Sequence, residues 1–569
     1  MIVKIDKYTI NDLMERSFSR FENLPALSFV GGKPLTFGEI RQKVHQTALL
    51  LLKKNIQKGD RVAILGENSP NWVISYLATV AIGAVAVPIL TGFPDADTRH
   101  ILRDSGSSAI FVTDKQRDKV EEMGSSSLHT IIVLEDFSVT TTAKSHLKES
   151  EKHIQSLLKK HDENNDASKI INEYYTPREE DLAVIIYTSG TTGHSKGVML
   201  THKNIASNTV NSIEQFPIDD KDRFLSILPL SHTFECTGGM MCPLAAGSSI
   251  YYMDGLPTPQ KLLSAMEKVK PTAVLTVPLV MDKIYRKRVI PQIKKIPILG
   301  SLYSTAFIRK RLNKIAGKKL LQTFGGELRF FMFGGAALNE DVETFLRDAG
   351  ISYSTGYGMT ETAPILTINP FGKVKVGSCG QPIPGIEMDI HEPNPDTKIG
   401  EIIVHGPNVM QGYYKNDEAT KSTFLENGWL RTGDLGYFDD EGYLFIKGRS
   451  KNVIVGPSGE NIYPEIIEQE LAQSPYIQEI VVYEADNRLY AMAYPDYDLI
   501  DQDLQKKEQS PEAAQYTENI LDEVRKETNA RLPQFAAVTK IYEQTEPFEK
   551  TPTNKVKRYL YIPKKNGNA

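Results

Sequence analysis

Residues 182–216 of the 569-residue chain read LAVIIYTSGTTGHSKGVMLTHKNIASNTVNSIEQF, and few folds can hold such a run. An apolar stretch at 182–186 reads as a buried strand, and the helical pattern of 201–216 follows the glycine-rich stretch at 187–198. Strand, glycine-rich turn and helix define an α/β layer with a loop at its edge. Gly190, Gly193 and Gly197 allow positive φ and close backbone approach. The hydroxyls of Thr188, Ser189, Thr191 and Thr192 can donate hydrogen bonds, and Lys196 supplies a cation. These residue types fit a polyphosphate cradle. A surface loop of small polar residues is the plainer reading, but it has little reason to combine Ser-Gly and Thr-Gly steps with a lysine between a strand and a helix. The spacing is not GxxxxGK[ST], which occurs nowhere in the chain, so an ordinary P-loop hydrolase is disfavoured.

This stretch resembles the signature [Y/F]TSGTTGxPKGV of the adenylate-forming superfamily, which includes acyl-CoA synthetases, luciferases and peptide-synthetase adenylation domains. Ser195 stands where proline is usual. The resemblance implies an α/β fold: a large multi-layer α/β N-terminal domain over 1–450 and a small mobile α+β C-terminal domain over 451–569.

Length alone suggests roughly three or four compact units at about 150 residues each. The net charge of −5 gives no overall attraction to nucleic acid or to an acidic membrane. The N-terminus, MIVKIDKYTINDLMERS, does not read as a secretory signal, and three cysteines without metal spacing suit reduced thiols in a cytoplasm. Residues 69–94 carry no charge and raise a transmembrane question. Ser69-Pro70 reads as a helix cap, Gly83 as a helix end and AVAVPI as a strand. A buried strand-helix-strand layer therefore accounts for the hydrophobicity. Residues 121–170 lose the alternation and read as an exposed connection or surface helix. Residues 283–319 hold twelve Lys or Arg and no Asp or Glu, interleaved with apolar residues. They read either as a solvated helix pair or as a surface for anionic lipid.

Further motifs extend the resemblance along the chain. GGAAL at 334–338 follows a strand and precedes a helix opened by Asn339, and YGMTE occupies 357–361. In the family these segments form the adenine site. The resemblance therefore implies Gly335, Ala336 and Tyr357 around adenine, Thr360 near the α-phosphate and Glu361 at the magnesium of ATP. A carboxylate beside polyphosphate needs a cation between them. WLRTGD at 429–434 implies Asp434 on the ribose hydroxyls with Arg449 assisting, and a hinge at Lys451. Gly459, in GPSGENIYPEIIE, would line the CoA pantetheine tunnel. In TPTNKVKR, Lys555 would bridge the substrate carboxylate and the α-phosphate, and this form resembles the long-chain fatty acyl-CoA synthetases. His232, in LPLSHTFE, would sit beside the carboxylate. The chemistry implied is activation of a fatty acid by ATP and Mg2+ to acyl-AMP, then transfer to coenzyme A. A ligase loading a carrier protein, a medium-chain or aryl acid-CoA ligase and a luciferase-like oxygenase share most of these motifs. A non-catalytic nucleotide-binding scaffold is the rival from outside enzymology.

Overall fold

The computed structural model describes residues 5–123, 127–141, 167–188, 195–255, 258–295, 302–303, 305–456, 460–505, 513–551 and 555–563. An 8-stranded sheet runs in the order Gly412–Tyr413, Lys196–Thr201, Leu182–Thr188, Val85–Ile89, Arg61–Leu65, Ala109–Val112, Thr130–Val133, Val139–Thr141. Its centre is parallel and its edges are antiparallel. A 9-stranded sheet runs Gln381–Pro382, Ile365–Ile368, Tyr353–Gly358, Phe330–Phe333, Ala273–Thr276, Arg223–Ser226, Ser249–Tyr252, Pro25–Phe29, Leu35–Thr36.

The largest apolar cluster joins the facing sides of both sheets through the helices Ile10–Arg20, Phe37–Lys53, Pro70–Ala81 and His202–Gln215. Helices also cover the outer face of each sheet. Central parallel strands are therefore buried on both faces, which explains their unbroken Val and Ile runs. The uncharged segment at 69–94 lies in the middle layer. Ser69 caps its helix by accepting from the Trp72 N–H at 3.1 Å, and Trp72 and Tyr76 are fully buried and stacked. A helix covered on all sides has no polar face to show. Among the described residues no helix is long and apolar enough to cross a membrane.

Four readings need correction. Lys196–Thr201 is a strand paired antiparallel with Leu182–Thr188, so a return strand and not a helix follows the glycine-rich stretch, and the helix begins only after it. Gly197 does not have positive φ: it sits in that strand, where a Cβ would lie 2.8 Å from Ile185 and 3.1 Å from Tyr187. Within 121–170, the apolar TIIV at 130–133 is a fully buried strand beside Ala109–Val112. The basic stretch 283–319 is not one face. Arg286 and Lys287 point to residues beyond 470, while Lys310, Arg311, Lys314 and Lys318 line the exposed side of helix Ala306–Thr323.

A 4-stranded antiparallel sheet, Glu387–His391, Gly400–His405, Leu430–Phe438 and Leu444–Arg449, ends in the single turn Ser450–Asn452. Beyond it, strands Ile477–Ala485, Arg488–Pro495 and Val538–Glu543 form a sheet packed on helices Pro464–Leu471 and Ala513–Asn529. This segment has an apolar cluster of its own, from Ile462 to Ile541.

Candidate active site

The hairpin carrying the glycine-rich loop opens at the pair Thr188 and Lys196, where the Thr188 hydroxyl lies 3.5 Å from the Lys196 carbonyl. Ser189, Gly190, Thr191, Thr192 and Gly193 lie outside the described residues, as does Gly459. The short strand Gly412–Tyr413 pairs along the outer edge of the hairpin, and the Tyr414 N–H donates to the Gly197 carbonyl at 2.7 Å. That pairing brings in a residue the motifs did not disclose. The Lys196 ammonium lies 5.1 Å from the centre of the Tyr413 ring, and the Tyr413 hydroxyl donates to Glu361 Oε1 at 2.8 Å. Burial and the Glu361 charge raise the Tyr413 phenol, which keeps it a donor. Tyr413 thus links the hairpin lysine to the predicted metal-side carboxylate. No periodicity or motif marks it, because its partners are more than 50 residues away in the chain.

Gly334 and Gly335 follow strand Phe330–Phe333. Gly334 is buried against Phe234, whose ring would lie 2.9 Å from a Cβ at that position. Gly335 has φ +86° and, with Ala336, is exposed, leaving flat backbone open to a planar ring. Asn339 precedes the next helix as expected but makes no side-chain cap. Its amide donates instead to Asp282 at 2.8 Å.

Strand Tyr353–Gly358 carries Tyr357 to the same cleft. The Tyr357 hydroxyl donates to Asp434 Oδ2 at 2.6 Å, and Arg449 Nε donates to Asp434 Oδ1 at 2.7 Å. Asp434 and Arg449 are cross-strand partners, so the hairpin register itself sets this ion pair. Burial raises the Asp434 carboxyl above its ordinary value, and Arg449 and the Tyr357 hydroxyl offset part of that rise. The chain then turns through Thr360–Thr362. Gly358 is obligatory at this turn: a Cβ there would lie 1.9 Å from the Pro364 carbonyl oxygen.

Thr360 meets Thr233 at 3.4 Å between hydroxyl oxygens, which ties this turn to the segment carrying His232. His232 Nδ1 accepts from the Phe234 N–H at 3.2 Å, so the neutral ring carries its proton on Nε2. Burial, and secondarily the Lys555 charge, push His232 down to about 4. Lys555 as a whole residue is exposed, but its ammonium is closely surrounded by protein and falls below its ordinary value. Burial is the larger cause and the Arg449 charge the second, while Asp434 and Glu361 pull the other way. Lys555 from the C-terminal segment and His232, Glu361, Asp434 and Arg449 from the large body therefore share one electrostatic field.

Glu361 Oε1 is engaged by Tyr413, while Oε2 has no hydrogen bond among the described residues. One free carboxylate oxygen beside polyphosphate suits magnesium, which typically takes one or two carboxylates and completes its shell with phosphate oxygens and water.

A cation-lined hairpin, an open glycine platform and a buried aspartate ready for hydroxyl groups, all at the edges of stacked α/β layers, define a nucleotide-binding enzyme of two parts. A family profile described as AMP-binding enzyme matches residues 14–414, and the chain belongs to that family. A long-chain-fatty-acid–CoA ligase of Bacillus subtilis is 31% identical over 501 residues, spanning 83% of this chain and 82% of that protein. Long-chain-fatty-acid–CoA ligase FadD15 of Mycobacterium bovis is 30% identical over 470 residues, spanning 79% and 75%. Among solved structures, ATP-bound MatB from Rhodopseudomonas palustris aligns with a TM-score of 0.71 at 25% identity, covering 97% of this chain and 98% of that one.

Proposed function

We propose that this protein is an acid–CoA ligase for long-chain fatty acids. A carboxylate oxygen attacks the α-phosphorus of ATP, forming acyl-AMP and releasing pyrophosphate. The thiol of CoA then attacks the acyl carbon, giving the thioester and AMP. No side-chain nucleophile is required, since phosphoryl transfer of this kind depends on positioning and charge neutralisation.

In this reading Lys196 and the hairpin take the polyphosphate. Gly335, Ala336 and Tyr357 take adenine, and Asp434 with Arg449 takes the ribose. Thr360 and neutral His232 Nε2–H lie toward the reacting carboxylate and α-phosphate. Magnesium brought with ATP would be held by Glu361 and would neutralise phosphate charge. Lys555 spans the two reacting anions. The observation that carries the reading is the convergence of the separate motifs: Tyr357 and Arg449 both bond Asp434, and Tyr413 joins Lys196 to Glu361.

The large domain ends at 450 and the small domain begins at Lys451. Support comes from the exposed turn Ser450–Asn452 and the separate apolar cluster beyond it. Rotation about Lys451 would withdraw Lys555 and open the site to CoA. Lys555→Ala should lower acyl-AMP formation by ~10²- to ~10³-fold. It should still convert supplied acyl-AMP and CoA to thioester, and equal loss of both half-reactions would refute this division.

A peripheral contact with anionic lipid fits the exposed side of helix Ala306–Thr323. Phe307 and Ile315 are 73% and 66% exposed there, among Lys310, Arg311, Lys314 and Lys318. Among the described residues none of these four cations has an acidic partner within 4.0 Å. Exposed apolar groups among unpaired cations match a headgroup layer, and a fatty-acid substrate partitions into the same layer.

A further inference from the structure

Arg286 lies outside every motif of the site, yet two of its three guanidinium nitrogens donate across the seam between the two parts of the chain. Nη1 donates to the Gln473 carbonyl at 3.0 Å and Nη2 to the Ala472 carbonyl at 3.2 Å. Those carbonyls stand just past the C-terminal end of helix Pro464–Leu471, where a cation is favoured by the helix dipole and by unsatisfied oxygens. Nε donates to Asp282 at 2.9 Å, and Asp341 lies 3.5 Å from Nη2. The neighbouring Lys287 pairs with Asp496 at 3.6 Å. Among the described residues, Arg286 and Lys287 supply the side-chain hydrogen bonds and ion pairs between residues before 450 and residues after 461.

The same arginine is tied to the nucleotide cleft. Asp282 Oδ1 accepts both from Arg286 and from Asn339, the residue immediately after the GGAAL platform. A short polar chain therefore runs from the platform through Asn339 and Asp282 to Arg286 and on to the small domain. Planar bidentate donation fixes orientation as well as distance, which a lysine cannot reproduce.

We propose that Arg286 is a positioning residue for the adenylation half-reaction: it holds the small domain by the end of helix Pro464–Leu471 so that Lys555 lies over the site, and it links that docking to the adenine platform. The inference rests on the two-step ligase reading above. Thioester formation needs the small domain turned away, so the seam must break between the two steps, and the arginine acts on the first alone.

The test measures the two half-reactions separately in Arg286→Gln: pyrophosphate exchange for adenylation, and thioester formation from supplied oleoyl-AMP and CoA. Adenylation should fall about 10-fold or more while the thioester step stays within about twofold, because two charge-assisted hydrogen bonds are lost in one domain arrangement only. Arg286→Lys, which keeps the charge near Asp282 and Asp341, should fall in between. Because Arg286 acts through Lys555, Arg286→Gln should add little to the adenylation loss of Lys555→Ala. Equal loss of both half-reactions, no loss of adenylation, or a full additional loss in the double variant would each overturn the proposal. A wild-type protein that forms no acyl-AMP would refute the ligase reading instead. The docking would still be read from the distance between spin labels at the exposed positions Ile315 and Phe535, which Arg286→Gln should broaden; an unchanged distribution would overturn it.

Discussion

Asp434→Asn isolates one charge in the site while preserving shape. The carboxylate is 6% exposed and has both oxygens occupied, by Tyr357 and by Arg449. A ribose diol would replace these contacts with two O–H donors. Hydrogen bonds to a charged group contribute about 1.5–3 kcal/mol each, and an amide keeps only one acceptor oxygen, without charge. Losing one such bond and weakening the other amounts to about 2–4 kcal/mol, or roughly 30- to 700-fold in kcat/KM for ATP. The KM for fatty acid should change little. Stability should move differently. Burial raises the Asp434 carboxyl, and an acid whose folded value lies above its unfolded value loses stability as pH rises through the folded value. Because folding raises this carboxyl, its charge works against the fold wherever it is ionised, and the variant should melt no lower than the wild type. Arg449, 45% exposed, can be solvated once its partner is neutral. The assay is steady-state kinetics with ATP varied, alongside thermal melts at pH 8. A kcat/KM for ATP within about twofold of wild type, or a loss of activity explained by a lower Tm, would refute the reasoning.

Gly358→Ala should cost several kcal/mol and most of the ATP binding, because a Cβ would overlap the Pro364 carbonyl at 1.9 Å; an unchanged urea midpoint would contradict it. Glu235 is buried with one oxygen unpartnered and is pushed up to about 8 by burial, so the folded chain holds a proton there from pH 4.5 to 8 that the unfolded chain releases. Stability should fall across that window by roughly 2–5 kcal/mol, and Glu235→Gln should flatten the slope of urea midpoint against pH. Phe307→Ser with Ile315→Ser should weaken sedimentation with anionic vesicles at low salt without changing activity on dispersed fatty acid; equal binding by both proteins would remove the helix from the contact.

Much of the fold was legible in the sequence because its signals are local. Strand and helix alternate wherever parallel strands are buried on both faces, and the capped helix after Ser69 was readable from Ser-Pro and Gly83. The strand at 130–133 is obscured in the sequence by the polar runs around it, although TIIV itself carries the pattern of a buried strand. The return strand Lys196–Thr201 was hidden because KGVMLT runs straight into a helix cap, and only pairing with a neighbour distinguishes the two.

The sequence by itself determined which chemical groups the chain owns and in what order. Glycines, hydroxyls, Lys196, Glu361, Asp434 and Lys555 stand in short motifs that are read without coordinates. Only the tertiary structure decided which of them meet. Tyr413 reaches Glu361 and Lys196 through an edge strand, Tyr357 holds Asp434 from another sheet, and the basic stretch divides between contacts to residues beyond 470 and an exposed face. The reason is physical. Residue type and spacing encode contacts a few positions apart, whereas pairing over tens to hundreds of residues depends on register and layer packing, which no local pattern records.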